Sequence, residues 1–138
     1  MVIEPNGYAI WEKMKEILYN KKIRRFIGMG MSFQEAIELY RGIYHRFEKV
    51  EGKPWGVNGA MIELSKQVGD LSKCIMLKEE YYAYKGERPV GLEKNIGNEL
   101  ADIFGQLIRI ADCYGIDLEE AHAAAREEED RDLKSRGV

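Results

Sequence analysis

Proline occurs at only three positions of this chain, Pro5, Pro54 and Pro89. Because proline removes a backbone hydrogen-bond donor and breaks a helix interior, the long stretches between these positions are free to form helices. Glycine accompanies the second and third prolines, in EGKPWG at 51–56 and KGERPVG at 85–91. Proline and glycine together mark turns. The spacing therefore predicts long helices joined by short loops, and no stretch reads convincingly as a strand.

Apolar residues recur at helical spacing in the stretches between these turns. Helices are predicted at about 8–26, 32–50, 57–84, 93–114 and 117–138. Ser32 with Glu35 is typical of a capping box, and Asp117 with Glu120 is a second box of the aspartate type. Short loops between long helices make successive helices antiparallel neighbours, so we expect an all-α antiparallel helical bundle.

Two glycines fall in the middle of predicted helices, Gly69 and Gly105. Each costs about 1 kcal/mol relative to alanine at such a position. We therefore expect the helices at 57–84 and 93–114 to approach each other closely at these two points.

The composition is that of one globular domain. Hydrophobic residues make up 45% and charged residues 33% of the 138 positions, enough for a core beneath a charged surface. Three regions are expected: an N-terminal helical extension at 1–31, a helical core at 32–125 and a charged helix end at 126–138. We find no secretory signal and no run approaching about 18 apolar residues, so a cytoplasmic location without a membrane partner is expected.

Charge and metal-ligating residues narrow the classes of function. The net charge of −3 argues against a dedicated nucleic-acid-binding domain, which is usually basic. The run KKIRR at 21–25 loosely suggests a helix-turn-helix, although such a run is usually a solvated helix end. Two cysteines and two histidines are too few for a disulfide scaffold or a Cys/His zinc site. A metal site would therefore have to use carboxylates.

Two polar strips run beside the apolar stripes of the helices at 57–84 and 93–114. Their members share one helical face by spacing and are Glu63, Gln67 and Asp70 on the first helix and Asn95, Glu99, Asp102 and Gln106 on the second. Hard divalent cations such as Mg²⁺ bind a few carboxylates together with water and substrate phosphates. Clustered carboxylates also repel one another unless a cation lies between them. The strips predict a Mg²⁺ site, with Mn²⁺ as the second candidate ion; ordinary surface salt bridges of Glu63 are the plain alternative.

The motifs on these helices, KQVGDL at 66–71 and NELADIF at 98–104, resemble those of the MazG-like all-α nucleoside triphosphate pyrophosphohydrolases. That family carries E-x-x-E on one helix and E-x-x-D on the next, and QVGDL is usual in one branch. The segment IRIADCYGIDLEEA at 108–121 and KPW at 53–55 fit the family as well. The resemblance covers roughly Trp55 to Ala121. It implies a bundle of the pyrophosphohydrolase type, completed by assembly into a homodimer or homotetramer.

The resemblance also implies an activity and a site. Family members are hydrolases of acid anhydrides that convert an NTP or dNTP to the monophosphate and pyrophosphate with Mg²⁺, in some cases as house-cleaning enzymes. Carried over position by position, the metal ligands are Gln67, Asp70, Glu99 and Asp102. Glu63, one turn before Gln67, is our candidate general base. Candidate substrate-binding residues are Lys66, Lys73, Lys78 and Arg109 for phosphate and Trp55 for the base.

Departures from the family pattern leave a second interpretation. Gln67 stands where the family has a glutamate, and the Asp70 side chain is shorter by one methylene. Fewer charged ligands imply weaker Mg²⁺ binding or fewer ions. The alternative is a catalytically degenerate helical module that acts in nucleotide binding, regulation or protein interaction.

Overall fold

A computed structural model describes residues 30–81, 86 and 89–138. Within this part of the chain the structure is helical and has no strand. The helices are α1 Phe33–Phe47, α2 Gly56–Lys78, α3 Leu92–Cys113 and α4 Leu118–Ser135. The all-α prediction is therefore confirmed there, whereas the helix predicted at 8–26 and its basic run at 21–25 lie outside the described residues. The predicted domain boundaries, the pyrophosphohydrolase type and the oligomeric assembly stay predictions.

The first predicted capping box is complete, and the second is present through its N-cap bond. The Ser32 N–H donates to Glu35 Oε2 at 2.8 Å, and the Glu35 N–H donates to Ser32 Oγ at 3.2 Å. At the start of α4, the Glu120 N–H donates to Asp117 Oδ1 at 2.9 Å. These bonds satisfy amide donors that the first turn of a helix leaves without a partner.

The end of α2 differs from the prediction. The spacing predicts a helix to residue 84, whereas α2 ends at Lys78. Glu80 takes a φ of 60°, in the left-handed region, which a right-handed helix cannot continue through. The backbone conformation of this one residue therefore sets the end of the helix, and apolar periodicity carries no information about it.

The chain divides into two compact units, Met1–Leu39 and Tyr40–Val138. In the described part of the first unit, the capping box is followed by a hydrogen bond from Gln34 Nε2 to Glu38 Oε1 at 3.2 Å. These local bonds stabilise the first turns of α1.

In the second unit, α2 and α3 pack against each other, as predicted. Lys78 at the end of α2 pairs with Glu93 at the start of α3, and Trp55 just before α2 lies against Arg109 near the end of α3. The two helices are therefore antiparallel. Their packing buries Ala60 of α2, and α3 contributes the buried residues Ile108 and Ala111.

The two mid-helix glycines differ. A Cβ built at Gly105 would lie 2.4 Å from Cζ of Tyr40, so α1 makes the close approach at this glycine. A Cβ at Gly69 would have nothing within 4 Å. The predicted close approach at Gly69 was wrong, because this glycine lies on an exposed face of α2.

Helix α4 has no buried residue. Four ion pairs between residues three or four positions apart run along its exposed surface. Such pairs each add only a few tenths of a kcal/mol to an isolated helix, about 0.2–0.5 kcal/mol. Among the described helices, none is both long and apolar enough to cross a membrane.

Candidate functional site

The packing of α2 on α3 brings the two polar strips onto adjacent helices. Tyr40 of α1 marks the place where they meet. Burial raises the pKa of the Tyr40 hydroxyl, Arg109 lowers it, and the charges of Asp102 and Glu63 raise it further. One carboxylate from each motif helix therefore lies within electrostatic reach of the same phenol.

On α2, a lysine side chain lies between the carboxylates of the strip. Lys66 Nζ is 3.5 Å from Glu63 Oε1 and 3.3 Å from Asp70 Oδ2. Gln67 Nε2 donates to the same Glu63 oxygen at 3.0 Å. The hydrogen bond to Asp70 and the charge of Glu63 raise the pKa of Lys66. The surface salt bridge of Glu63, which was the alternative to a metal site in the sequence analysis, is thus present. Lys66 neutralises part of the negative charge of Glu63 and Asp70.

On α3, two buried acceptor oxygens lack a hydrogen-bond partner, Glu99 Oε2 and Gln106 Oε1. Gln106 is only 7% exposed, and its Nε2 donates to the Tyr40 hydroxyl at 3.3 Å. Buried acceptors normally have a donor, an ordered water or an ion beside them. These two oxygens therefore have capacity for a further donor or a cation.

The predicted ligand set is only partly assembled. Among the described residues, no group of three or more His, Cys, Asp or Glu side chains lies close enough together to hold a metal ion. Asp102 is exposed, Glu99 is half-buried, and Asp70 and Gln67 lie on the neighbouring helix. The assignment of Gln67, Asp70, Glu99 and Asp102 as metal ligands stays a prediction.

The candidate substrate-binding residues fall in different places. Lys66 lies among the carboxylates, Lys73 is exposed, and Lys78 pairs with Glu93. Trp55 precedes α2 and Lys78 ends it, so the two are about 35 Å apart along the helix axis at about 1.5 Å per residue. Trp55 and Lys78 of one chain therefore do not share one site.

Arg109 and Trp55, in contrast, belong to one cluster. Arg109 is 7% exposed, and its guanidinium lies 5.0 Å from the Tyr44 ring centroid and 5.1 Å from that of Trp55. Its Nη2 is 3.3 Å from Glu51 Oε1. Arg109 Nε and Glu51 Oε2 are buried without a hydrogen-bond partner. Glu51 therefore neutralises the charge of Arg109, and two aromatic rings cover its guanidinium.

A pocket of about 190 Å³ opens beside this cluster. Its lining residues are Tyr44, Glu48, Trp55, Gly56, Arg109, Asp112 and Cys113. Asp112 accepts two hydrogen bonds from Arg41, at 2.9 and 2.6 Å, and one from the Tyr44 hydroxyl at 2.5 Å. The bonds from Arg41 lower the pKa of Asp112. These contacts fasten α1 to α3 and hold the Tyr44 ring against Arg109.

Sequence reasoning missed Tyr40, Tyr44, Glu51 and Asp112. One feature of the sequence could have indicated buried polar contacts here. Gln106 and Arg109 interrupt the most apolar stretch of the chain, 103–111. Polar side chains on an otherwise apolar face are expected to have buried partners. The identity of those partners, Glu51 at 58 and Tyr40 at 66 positions away, is not encoded in any local pattern.

Comparisons of the chain with known protein families, with curated proteins and with solved structures give no match. The functional interpretation therefore depends on the motifs and on the geometry described above.

Proposed function

We propose that this chain is a Mg²⁺-dependent nucleoside triphosphate pyrophosphohydrolase. The observation that carries the proposal is that the carboxylates of both motifs lie on two helices packed against each other, where Glu63 and Asp102 both influence Tyr40. All the candidate metal-ligating atoms are oxygens, which Mg²⁺ prefers as ligands. The Glu99 oxygen that is buried without a partner is consistent with a bound cation.

Each polar residue then has a role in hydrolysis between the α and β phosphates. Asp70, Glu99 and Asp102 would hold the ion, and Gln67 would offer its carbonyl oxygen. When bound, Mg²⁺ would neutralise phosphate charge and favour ionisation of a water molecule. Glu63 takes a proton from the water whose oxygen attacks the α phosphorus, while the bond from that phosphorus to the bridging oxygen breaks and pyrophosphate leaves.

Lys66 changes partner in this scheme. Its side chain is 60% exposed, so its pairs with Glu63 and Asp70 are surface ion pairs that hold it weakly. Lys66 would therefore leave Asp70 at little cost if that carboxylate held a divalent cation. Its ammonium group would then be available to a phosphate oxygen.

The test is pyrophosphate release from a panel of standard and damaged NTPs and dNTPs with Mg²⁺ or Mn²⁺. We expect Asp102→Asn and Glu99→Gln each to lower the rate on the order of 100-fold, because a metal supplies several kcal/mol and about 1.4 kcal/mol is a factor of ten. Asp130→Asn on α4 is the matched control, since it removes a carboxylate from an exposed surface ion pair. Absence of pyrophosphate release at high protein concentration would refute the proposal, and equal Mn²⁺ binding by wild type and Asp102→Asn would refute the assigned site.

The second candidate is a degenerate module that binds nucleotide or another protein without hydrolysis. The observation in its favour is the position of Lys66, whose ammonium lies where clustered carboxylates would otherwise need a cation. Gln67 reduces the negative charge further. The variant Gln67→Glu separates the two candidates in the same assay: a rise from near zero activity supports the degenerate module.

A homodimer or homotetramer is part of the proposal, and the face of the α2–α3 pair away from the polar strips supports it. Exposed apolar residues recur there every seven positions: Met61, Val68 and Ile75 on α2 and Leu100, Leu107 and Tyr114 at α3, with exposures of 41–65%. At about 100° per residue, their neighbours Ser65, Ser72, Gly97 and Phe104 on the same faces are uncharged, whereas Glu79 after α2 and Glu93 at the start of α3 place charges at one end. An apolar face with its charges at one end suits a two-fold interface, in which each residue can meet its own copy.

Leu107→Glu is expected to dissociate this assembly, because two added charges would be buried near the two-fold axis. Sedimentation equilibrium should give a multiple of 15.9 kDa for the wild type and 15.9 kDa for the variant. Leu133→Glu on α4 is the control, since Leu133 is also about half exposed but lies outside this face. A wild type that sediments as a monomer would contradict the prediction.

A further inference from the structure

The Tyr40 hydroxyl accepts a hydrogen bond from α3. Gln106 Nε2 donates to it at 3.3 Å, and the guanidinium of Arg109 lowers its pKa. A phenol oxygen accepts through its lone pairs and has one hydrogen of its own to donate. Since the Gln106 amide nitrogen is a donor, the hydroxyl hydrogen does not point to it and is available to an acceptor.

The surroundings keep this hydrogen on the oxygen. Burial raises the pKa of Tyr40, and the carboxylates of Asp102 and Glu63 add to the effect. The hydroxyl accepts a hydrogen bond from Gln106, and a hydrogen bond received in this way strengthens the one donated. Tyr40 is therefore a neutral donor located beside two carboxylates that would otherwise repel an anion.

Arg109 itself is poorly placed to bind a substrate. It is 7% exposed, its Nη2 pairs with Glu51, and its guanidinium lies between the rings of Tyr44 and Trp55. The phosphate contact that the sequence suggested for Arg109 can instead be made by the Tyr40 hydroxyl, whose pKa Arg109 lowers.

We infer that the Tyr40 hydroxyl binds a phosphate oxygen of the substrate, and that Arg109 and Gln106 are positioning residues that hold it. The inference rests on the proposed function for the identity of the substrate as a phosphoanhydride. The Tyr40 hydroxyl itself requires only an acceptor oxygen that carries negative charge. Hydrogen bonds to such an oxygen are shorter and stronger than those to a neutral one.

The experiment measures binding of inorganic pyrophosphate with Mg²⁺ to the full chain by titration calorimetry. Tyr40→Phe keeps the ring that packs on Gly105 and removes only the hydroxyl. We expect it to weaken pyrophosphate binding about 10-fold to 100-fold, the usual effect of losing one hydrogen bond to a charged group. Tyr81→Phe is the matched control, because the Tyr81 side chain is 74% exposed and lies outside this cluster, just beyond the end of α2. We expect the control to change binding less than threefold, and thermal unfolding of both variants checks that they fold.

The outcomes separate this inference from the proposed function. Equal binding by wild type and Tyr40→Phe, or an equal loss in Tyr81→Phe, would overturn the role of Tyr40 even if the wild type cleaves nucleotides. A wild type that binds pyrophosphate through Tyr40 but cleaves no nucleotide would support the inference and refute the proposed activity. A wild type that binds no pyrophosphate would overturn the inference.

Discussion

Replacing Arg109 with methionine is expected to destabilise the protein by roughly 3–5 kcal/mol, because the change leaves the charge of Glu51 buried without its partner. The Arg109 and Glu51 side chains are only 8% and 14% exposed, so water cannot replace the lost contact. The variant also loses the contacts of the guanidinium with the Tyr44 and Trp55 rings. Urea unfolding followed by circular dichroism measures the difference in the free energy of unfolding.

Two variants test whether burial is the cause. Arg126→Met breaks the exposed pair with Glu129 on α4, where both side chains are more than half exposed, and should change stability by no more than about 0.5 kcal/mol. The double variant Arg109→Met with Glu51→Leu replaces the buried pair by apolar groups and should recover part of the loss. If Arg109→Met cost no more than Arg126→Met, the buried pair would not stabilise the fold.

Gly105→Ala is expected to be the second strongly destabilising change. The added methyl group would lie 2.4 to 2.8 Å from three atoms of the Tyr40 side chain, well inside van der Waals contact. The ring must therefore move, and its hydrogen bond to Gln106 is lost with it. Overpacking costs roughly 1–3 kcal/mol, and an unsatisfied buried polar group costs a further 1–3 kcal/mol or so.

Gly69→Ala provides the matched control, since Gly69 is also mid-helix but has open space around it. It should stabilise the protein by up to about 1 kcal/mol, because alanine has a higher helix propensity than glycine. Both variants share this difference. Thermal unfolding of the two variants then isolates the clash. The double variant Gly105→Ala with Tyr40→Leu should be less destabilised than the sum of its single changes. A Gly105→Ala variant as stable as Gly69→Ala would show that α1 does not pack as described.

These two predictions concern the same part of the molecule. Tyr40, Gly105 and Arg109 connect the first described helix to the face of α3 that carries the second acidic motif. A change that loosens this contact should lower phosphate binding as well as stability. Tyr40→Phe is informative for that reason, because it removes the hydroxyl and leaves the packing in place.

Helices and caps could be predicted because they depend on residues close in sequence. Ser32 with Glu35 and Asp117 with Glu120 are three positions apart, and amphipathic spacing repeats within one or two turns. The antiparallel packing of α2 on α3 could also be predicted, because one short loop connects the two helices. The predicted end of α2 was wrong because the left-handed conformation of Glu80 leaves no periodic signal.

The candidate site could likewise be predicted from the sequence only in part. The spacing of Glu63, Gln67, Asp70, Glu99 and Asp102 placed these residues on two helical faces, and the motifs suggested their chemistry. Sequence alone could not show that Lys66 lies between Glu63 and Asp70, since lysine rotamers on an exposed face are chosen among several of similar energy.

Residue types and their order were thus sufficient to predict that the described part of the chain is all-helical, with two acidic motifs on adjacent helices. Those properties arise from local backbone preferences and from burial of apolar faces. Tertiary packing was needed to identify the partners of the buried polar groups. Arg109 meets Glu51 across 58 positions and Gln106 meets Tyr40 across 66. A buried charge or amide requires some partner to offset its loss of water, but many residues of the chain could supply one. The docking of α1 against α3 selects which of them does.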